Sequence, residues 1–251
     1  MDKILEAHNL HKKFDGISAL SNFSCFVEEN EILGLIGPNG AGKTTLFNAV
    51  TGFLPLDLGE VYFYGKQTNN KSPYKIVADG ISRTFQDLRL IRQLPVMDNV
   101  LLSFQDQTGE KLSSVFFQKN KISQTESWNR MKAESLLEYT DLSELANELA
   151  GNLSYGQQKL LSIVCCLATD AKLFLLDEPV AGINPAMREK ILSIIEDQKK
   201  EGKSIVIIEH DMDFIMEICN RVIFMDAGEK ISEGTPDEVR NDPKVIEAYL
   251  E

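Results

Sequence analysis

The sequence predicts an α/β protein with a mainly parallel β-sheet, an N-terminal antiparallel β subdomain and an inserted helical lobe. Three observations carry that prediction. The apolar runs "EILGLIG", "KLFLLD", "SIVIIE" and "RVIFMD" have the length and near-continuous hydrophobicity of strands buried on both faces. Helical patterns separate them, and strand–helix alternation is the mark of an α/β sheet. From about Asp87 to Asn152 the β-like runs stop and a helix-rich section takes their place.

Along the chain, "ILEAHNL" and "LSNFSCFVEE" alternate as antiparallel strands do, and "GEVYFYGK" is a further strand candidate. In the middle section "ESWNRMKAESLLEYTDLSELANELA" reads as helix, with Ser135, Thr140 and Ser143 as caps or breaks. Residues 103–125 are polar and carry no clear pattern. Further on, "NPAMREKILSIIEDQKK" reads as a helix. Asn184 is placed to cap it, Pro185 occupies its first position, and Ile191, Ile194 and Ile195 line one face. The expected division is a core of residues 1–86 and 160–251, interrupted by a lobe of residues 87–159.

Composition narrows the class. At 251 residues the chain can bury a core as one domain with an inserted lobe. Its 43% hydrophobic and 25% charged residues are ordinary for a globular protein. No apolar run approaches the ~20 residues of a membrane span, and the N-terminal "MDKILEAHNLHKKF" lacks a secretory apolar segment. A net charge of −12 argues against broad nucleic-acid binding, which relies on basic surfaces. None of Cys25, Cys165, Cys166 and Cys219 forms a C-x-x-C pair, so they read as small buried hydrophobes in a reducing compartment.

Two motifs carry chemistry on their own. "GPNGAGKTT" supplies Gly37, Pro38, Asn39, Gly40, Ala41, Gly42, Lys43, Thr44 and Thr45 and matches G-x-x-x-x-G-K-[ST] between a strand pattern and a helix pattern. In a loop of this kind backbone N–H groups wrap phosphates, Lys43 reaches the β- and γ-phosphates, and the Thr44 hydroxyl ligates Mg²⁺. "LFLLDEP" ends an apolar strand in two acids, at the sheet edge where open α/β sheets bind ligands. There Asp177 is placed to hold Mg²⁺ through water, and Glu178 to orient or deprotonate an attacking water. No N-K-x-D-type guanine motif accompanies them.

A third stretch, "GNLSYGQQKLL", reads as a helix start. Ser154 followed three residues later by Gln157 fits a capping box, while Gly156 in the first turn costs roughly 1 kcal/mol of helix propensity relative to Ala. Read alone it is an ordinary capped helix, or one whose N-terminus receives an anion.

"LSYGQQ", lying shortly before the acidic strand, resembles the signature sequence of ATP-binding cassette (ABC) ATPases, and the resemblance extends over nearly the whole chain. It implies a P-loop NTPase core with ATP and Mg²⁺ as ligands, and other matches fall in family order. Phe14 in "KKFDGISAL" resembles the aromatic that stacks on adenine, where many relatives carry Tyr; without the family a lone Phe reads as core. Gln86 in "SRTFQDLRL" is similar to the Q-loop glutamine, which reaches Mg²⁺ and water at the entry to the helical lobe. "AGINP" occupies the D-loop position, with Asn184 in place of the commoner Asp. His210 in "IIEHDMDF" resembles the switch histidine that contacts the γ-phosphate. In this family two such domains dock head to tail, so the resemblance implies a second ATP-binding subunit, identical or paralogous, whose nucleotide meets Ser154, Gly156 and Gln157.

The resemblance further implies integral membrane permease partners, a peripheral position on the cytoplasmic face of the membrane, and no direct contact with the transported substrate. "LRLIRQLPVMDNVLLSF" mixes apolar residues with Arg89 and Arg92, a composition suited to a helix-in-groove contact with a permease. "AGINP", "IEHDMDFIMEICNRVIFMDAGEKISEGTPDEV" and the tail "NDPKVIEAYLE" resemble branched-chain amino acid importer ATPases. Urea-type importers and the lipopolysaccharide-export ATPase are close relatives. A soluble cassette of translation or DNA repair would bring fused cassettes or long coiled coils, and neither is present. A stand-alone P-loop kinase would leave "LSYGQQ" and His210 unexplained.

Overall fold

The computed structural model describes residues 2–105 and 119–250. Most of the unpatterned stretch expected at 103–125 therefore lies outside the described residues. The chain divides into two compact units, Met1–Gln86 with Ala171–Glu251, and Asp87–Asp170.

The first unit holds two sheets. Strands β1 (Lys3–Phe14), β2 (Ile17–Glu28), β4 (Leu58–Phe63) and β5 (Lys66–Gln67) form an antiparallel sheet in the order β2-β1-β4-β5. The six-stranded sheet comprises β3 (Ile32–Ile36), β6 (Ile81–Arg83), β7 (Leu173–Asp177), β8 (Ser204–Ile208), β9 (Arg221–Asp226) and β10 (Glu229–Gly234). Its order is β10-β9-β3-β8-β7-β6, parallel except at the β10-β9 edge. The four apolar runs became β3, β7, β8 and β9, and every residue of the first three is buried. Alternate residues of these strands, such as Leu33, Leu35, Leu173, Leu175, Val206 and Ile208, join β1, β2, β4 and helix α1 (Lys43–Val50) in one core. On the other face Gly34 permits close approach, since a Cβ there would lie 3.1 Å from Cys219 Sγ and 3.3 Å from Ile215. The Pro185–Lys200 helix forms as expected. Asn184 Oδ1 accepts from Met187 N at 2.9 Å, and Ile191, Ile194 and Ile195 are buried.

The second unit contains the helices Val96–Leu101, Lys119–Tyr139 and Tyr155–Ala168. Asn99 organises its entry. Its buried side chain accepts from Ile91 N at 2.8 Å and donates to Ile91 O at 3.1 Å and Pro95 O at 3.0 Å. Ala150 N and Gly151 N then donate to Leu94 O and Arg92 O, at 2.9 and 3.0 Å, strapping the residues before Ser154 to that entry. The expected boundary at 159/160 is corrected here. It would cut the Tyr155–Ala168 helix, a single hydrogen-bonded rod, and the division lies at Asp170/Ala171 instead. Ser135 neither caps nor breaks its helix, its hydroxyl donating back to the carbonyl four residues earlier, whereas Thr140 directly follows the last residue of the Lys119–Tyr139 helix and marks the break expected there.

Cys25, Cys166 and Cys219 are buried. Burial pushes the Cys25 and Cys219 thiols up to about 12 and Cys165 to about 11, which keeps them protonated and inert.

One ion cluster, buried at Glu31 and half-buried at Arg221 and Glu233, fastens the two sheets at the end of the first unit away from the P-loop. Arg221 donates Nε–H to Glu31 Oε1 at 2.8 Å, Nη2–H to Glu31 Oε2 at 3.0 Å and to Phe26 O at 2.8 Å, and also pairs with Glu233. Glu31 is 6% exposed. Breaking a buried pair strands the remaining charge, so Arg221→Met is expected to destabilise the fold by about 3–5 kcal/mol. A lower urea midpoint at unchanged slope would register it.

Candidate functional site

Because β3, β8 and β7 are adjacent and parallel, their C-terminal ends open on one edge of the sheet. Ligands bind at that edge in open α/β folds. There β3 runs into the glycine loop 37–42, β7 ends at Asp177, and β8 leads to Glu209 and His210.

The loop is shaped by close backbone approach. Gly37 has φ +144°, and a Cβ there would lie 2.0 Å from Met225 O; Gly42 has φ +101°, and its Cβ would lie 2.4 Å from Ala19 O. Gly40, at φ +86°, would point a Cβ into open space, which leaves room for a ligand against the loop backbone. The turn at Gly228 braces it from behind, donating N–H to Ala41 O at 3.0 Å and accepting from Ser21 N at 2.9 Å. α1 begins at Lys43 and carries no acid in its first turn, so the positive end of its dipole faces the loop uncompensated. Lys43 Nζ donates to Gly37 O at 2.7 Å and Pro38 O at 2.9 Å. Burial draws its ammonium below the usual lysine value, against the opposing pull of Glu178 and Asp177. A polyphosphate in the cradle would add negative charge beside this ammonium, in the same sense as Glu178 and Asp177.

Asp177 is buried with Arg83, whose Nη2 lies 3.3 Å from Asp177 Oδ2. Burial pushes the carboxyl above its ordinary value, and Arg83 opposes that. The same guanidinium donates to Asn48 Oδ1 at 2.8 Å and stacks 4.4 Å over the Phe85 ring, tying α1 to the acidic strand. Thr84 Oγ1 accepts from Asp177 N at 2.9 Å.

Glu178 adopts φ +48°, a left-handed conformation that costs a non-glycine residue roughly 1–2 kcal/mol. Its Oε1 lies 3.2 Å from His210 Nε2. The structure thus brings Lys43, Asp177, Glu178 and His210 to one edge of the first unit. Phe14 is 46% exposed at the end of β1, with Lys12 Nζ 5.6 Å from its ring centre. Its ring is available for stacking and is not core. Gln86 is exposed at the last residue of the first unit's opening segment.

In the second unit the capping box forms. Ser154 Oγ accepts from Gln157 N at 3.4 Å, and Gln157 Oε1 accepts from Ser154 N at 2.9 Å. Tyr155 stands 51% exposed beside it. The second unit thereby offers a capped, glycine-containing helix start.

Sequence reading missed Arg83, Thr84 and Glu209. Arg83 ends a strand of only three residues, too short for a pattern. Glu209 had a readable signal: it follows the apolar run of β8 as Glu178 follows that of β7.

Comparison with known proteins identifies the family. A family profile described as "ABC transporter" matches residues 20–181, and one described as "Branched-chain amino acid ATP-binding cassette transporter" matches residues 229–250. A probable branched-chain amino acid transport ATP-binding protein of Archaeoglobus fulgidus is 39% identical over 99% of this chain and 95% of the relative. The crystal structure of a nucleotide-free ATP-binding cassette from an ABC transporter aligns at TM-score 0.87 with 36% identity, covering 100% of both chains. A bacterial ABC transporter cassette solved as a dimer aligns at TM-score 0.77 with 25% identity, over 92% of this chain and 98% of that one. Among the described residues no helix is long and apolar enough to cross a membrane. This chain belongs to the ABC transporter family, as one of its ATP-hydrolysing, nucleotide-binding subunits.

Proposed function

We propose that this subunit binds Mg²⁺-ATP at the β3–β8–β7 edge, docks head to tail on a second ATP-binding subunit, and powers import of branched-chain amino acids through membrane permeases. The convergence of Lys43, Asp177, Glu178 and His210 on one sheet edge carries the chemical part of this reading. The substrate class rests on the curated relatives and on the profile matched at residues 229–250.

In this reading the backbone N–H groups from Gly37 to Thr45 and the Lys43 ammonium hold the phosphates, and Phe14 stacks on the adenine. Glu178 orients the attacking water and takes its proton. His210 contacts the γ-phosphate and steadies Glu178. Thr44 and Gln86, with Asp177 acting through water, would supply oxygen donors of the kind Mg²⁺ takes alongside phosphates and water. Among the described residues no group of three or more acidic, His or Cys side chains forms an all-protein cage. The metal, when bound, neutralises charge on the phosphates. The subunit sits on the cytoplasmic face of the membrane and does not touch the transported molecule.

The test is co-purification with permease and Mg²⁺-dependent phosphate release. Within "LRLIRQLPVMDNVLLSF", Val96, Met97 and Val100 are buried, so they pack their own unit. Ile91 and Arg92 are exposed and remain for a partner. Arg92→Glu is expected to weaken permease association about tenfold, or about 1.4 kcal/mol, with ATP affinity unchanged. Full recovery of permease with this variant would move the contact elsewhere.

A further inference from the structure

We propose that Glu209 is a positioning residue that holds Glu178 and His210 in register, an inference that rests on the hydrolytic role given to those two residues above. Glu209 is 1% exposed and lies immediately after β8. Its two oxygens face two loops. Oε1 accepts from Val180 N at 2.8 Å and Oε2 accepts from His210 N at 3.2 Å. One carboxylate therefore grips the segment leaving β7 and the segment leaving β8.

Backbone accounting makes the grip specific. Glu178 N donates to Ile208 O at 2.9 Å, Pro179 has no N–H, and Ala181 N donates to Glu178 O at 3.4 Å. Val180 N is thus the remaining donor by which this turn is fastened to β8, and Val180 is 6% exposed, out of reach of easy solvation. The turn carries Glu178 in its left-handed conformation, which persists only when its surroundings over-determine it. The Glu178 Oε1 to His210 Nε2 separation of 3.2 Å is then fixed from behind at both ends. A neutral amide cannot replace this carboxylate, because it has one acceptor oxygen for two N–H donors. A Gln at this position would leave one N–H unmade and facing another donor.

The experiment compares the wild-type full chain with Glu209→Gln, His210→Ala, the double variant and Glu178→Gln. Turnover is measured as single-turnover release of labelled phosphate, and ATP affinity by direct binding. Glu209→Gln is expected to slow phosphate release roughly 10- to 100-fold, the cost of misplacing reacting groups by about 1 Å, with ATP affinity within about twofold. In the His210→Ala background the further loss is expected to be no more than about threefold, because the two act through one arrangement. Unchanged turnover, equal losses in both backgrounds, or a matching loss of ATP affinity would each overturn the inference. If Glu209→Gln fails to fold, Glu209→Asp takes its place, since it keeps the charge and withdraws the carboxylate; the same outcomes decide. Full turnover in Glu178→Gln would instead sink the reading of the site itself, whatever Glu209 does.

Discussion

Glu178→Gln is expected to lower ATP turnover by roughly 10²–10⁴-fold, the usual weight of a general base, while leaving nucleotide bound. The substitution is nearly isosteric, and an amide can still meet His210 Nε2 across the present 3.2 Å. What it removes is the carboxylate that accepts a proton from water. The phosphate cradle is untouched, since Lys43, the glycine loop and α1 are separate elements. Loss of one negative charge also reduces repulsion of ATP at the docking face, so an ATP-bound dimer should persist. Size-exclusion chromatography with ATP reads this directly, and only monomer at high protein concentration would count against it. Lys43→Ala should fail earlier. It removes the buried cation that faces the phosphates, so nucleotide binding itself is lost, and equilibrium binding of labelled ATP separates the two variants.

Why these residues were legible, and others not, follows from how each is held in place. The central strands could be read because a strand buried on both faces has to be apolar throughout, as "KLFLLD" and "SIVIIE" are. The edge strand β10 could not, since "EKISEG" has no fully buried residue, and its pairing comes from the turn at Gly228. β1 extends to Phe14, beyond the expected "ILEAHNL", through register shifts near Asn9, whose φ of +50° breaks the alternation. The lobe boundary was misplaced for a different reason. "LLSIVCCLA" is apolar enough to belong to a core, and composition does not say which core buries it. Of the site, Lys43, Asp177 and Glu178 could be read from the residues alone, because a phosphate loop and a strand-end acid pair need those types at those spacings. His210, Gln86 and Phe14 needed the family resemblance, each being a single residue with no local pattern. Arg83 escaped both, because its partners Asn48 and Asp177 lie far off in sequence; Glu209 was passed over although it follows β8 as Glu178 follows β7, since only the fold shows that it bonds Val180.

A mixed dimer should separate a site built within one chain from a site shared between two. One subunit carries Lys43→Ala and the other Ser154→Arg, whose bulk replaces the hydroxyl that caps the Tyr155–Ala168 helix. If each ATP lies between one chain's P-loop and the other chain's signature helix, the heterodimer gathers both defects into one site. Its second site then joins an intact P-loop to an intact helix start. If each chain completed its own site, every site would carry one defect. ATP occlusion is the better readout, because coupled transport can require both sites at once. Each homodimer is expected to occlude almost none, and the heterodimer up to one ATP per pair. The physical basis is the helix start itself. Ser154 and Gln157 satisfy each other, yet other first-turn N–H groups, Gly156 among them, keep the dipole's positive end available to an anion. No recovery, with heterodimer assembly confirmed, would mean that Ser154 does not face a partner's phosphate, and its capping box would then serve the helix alone.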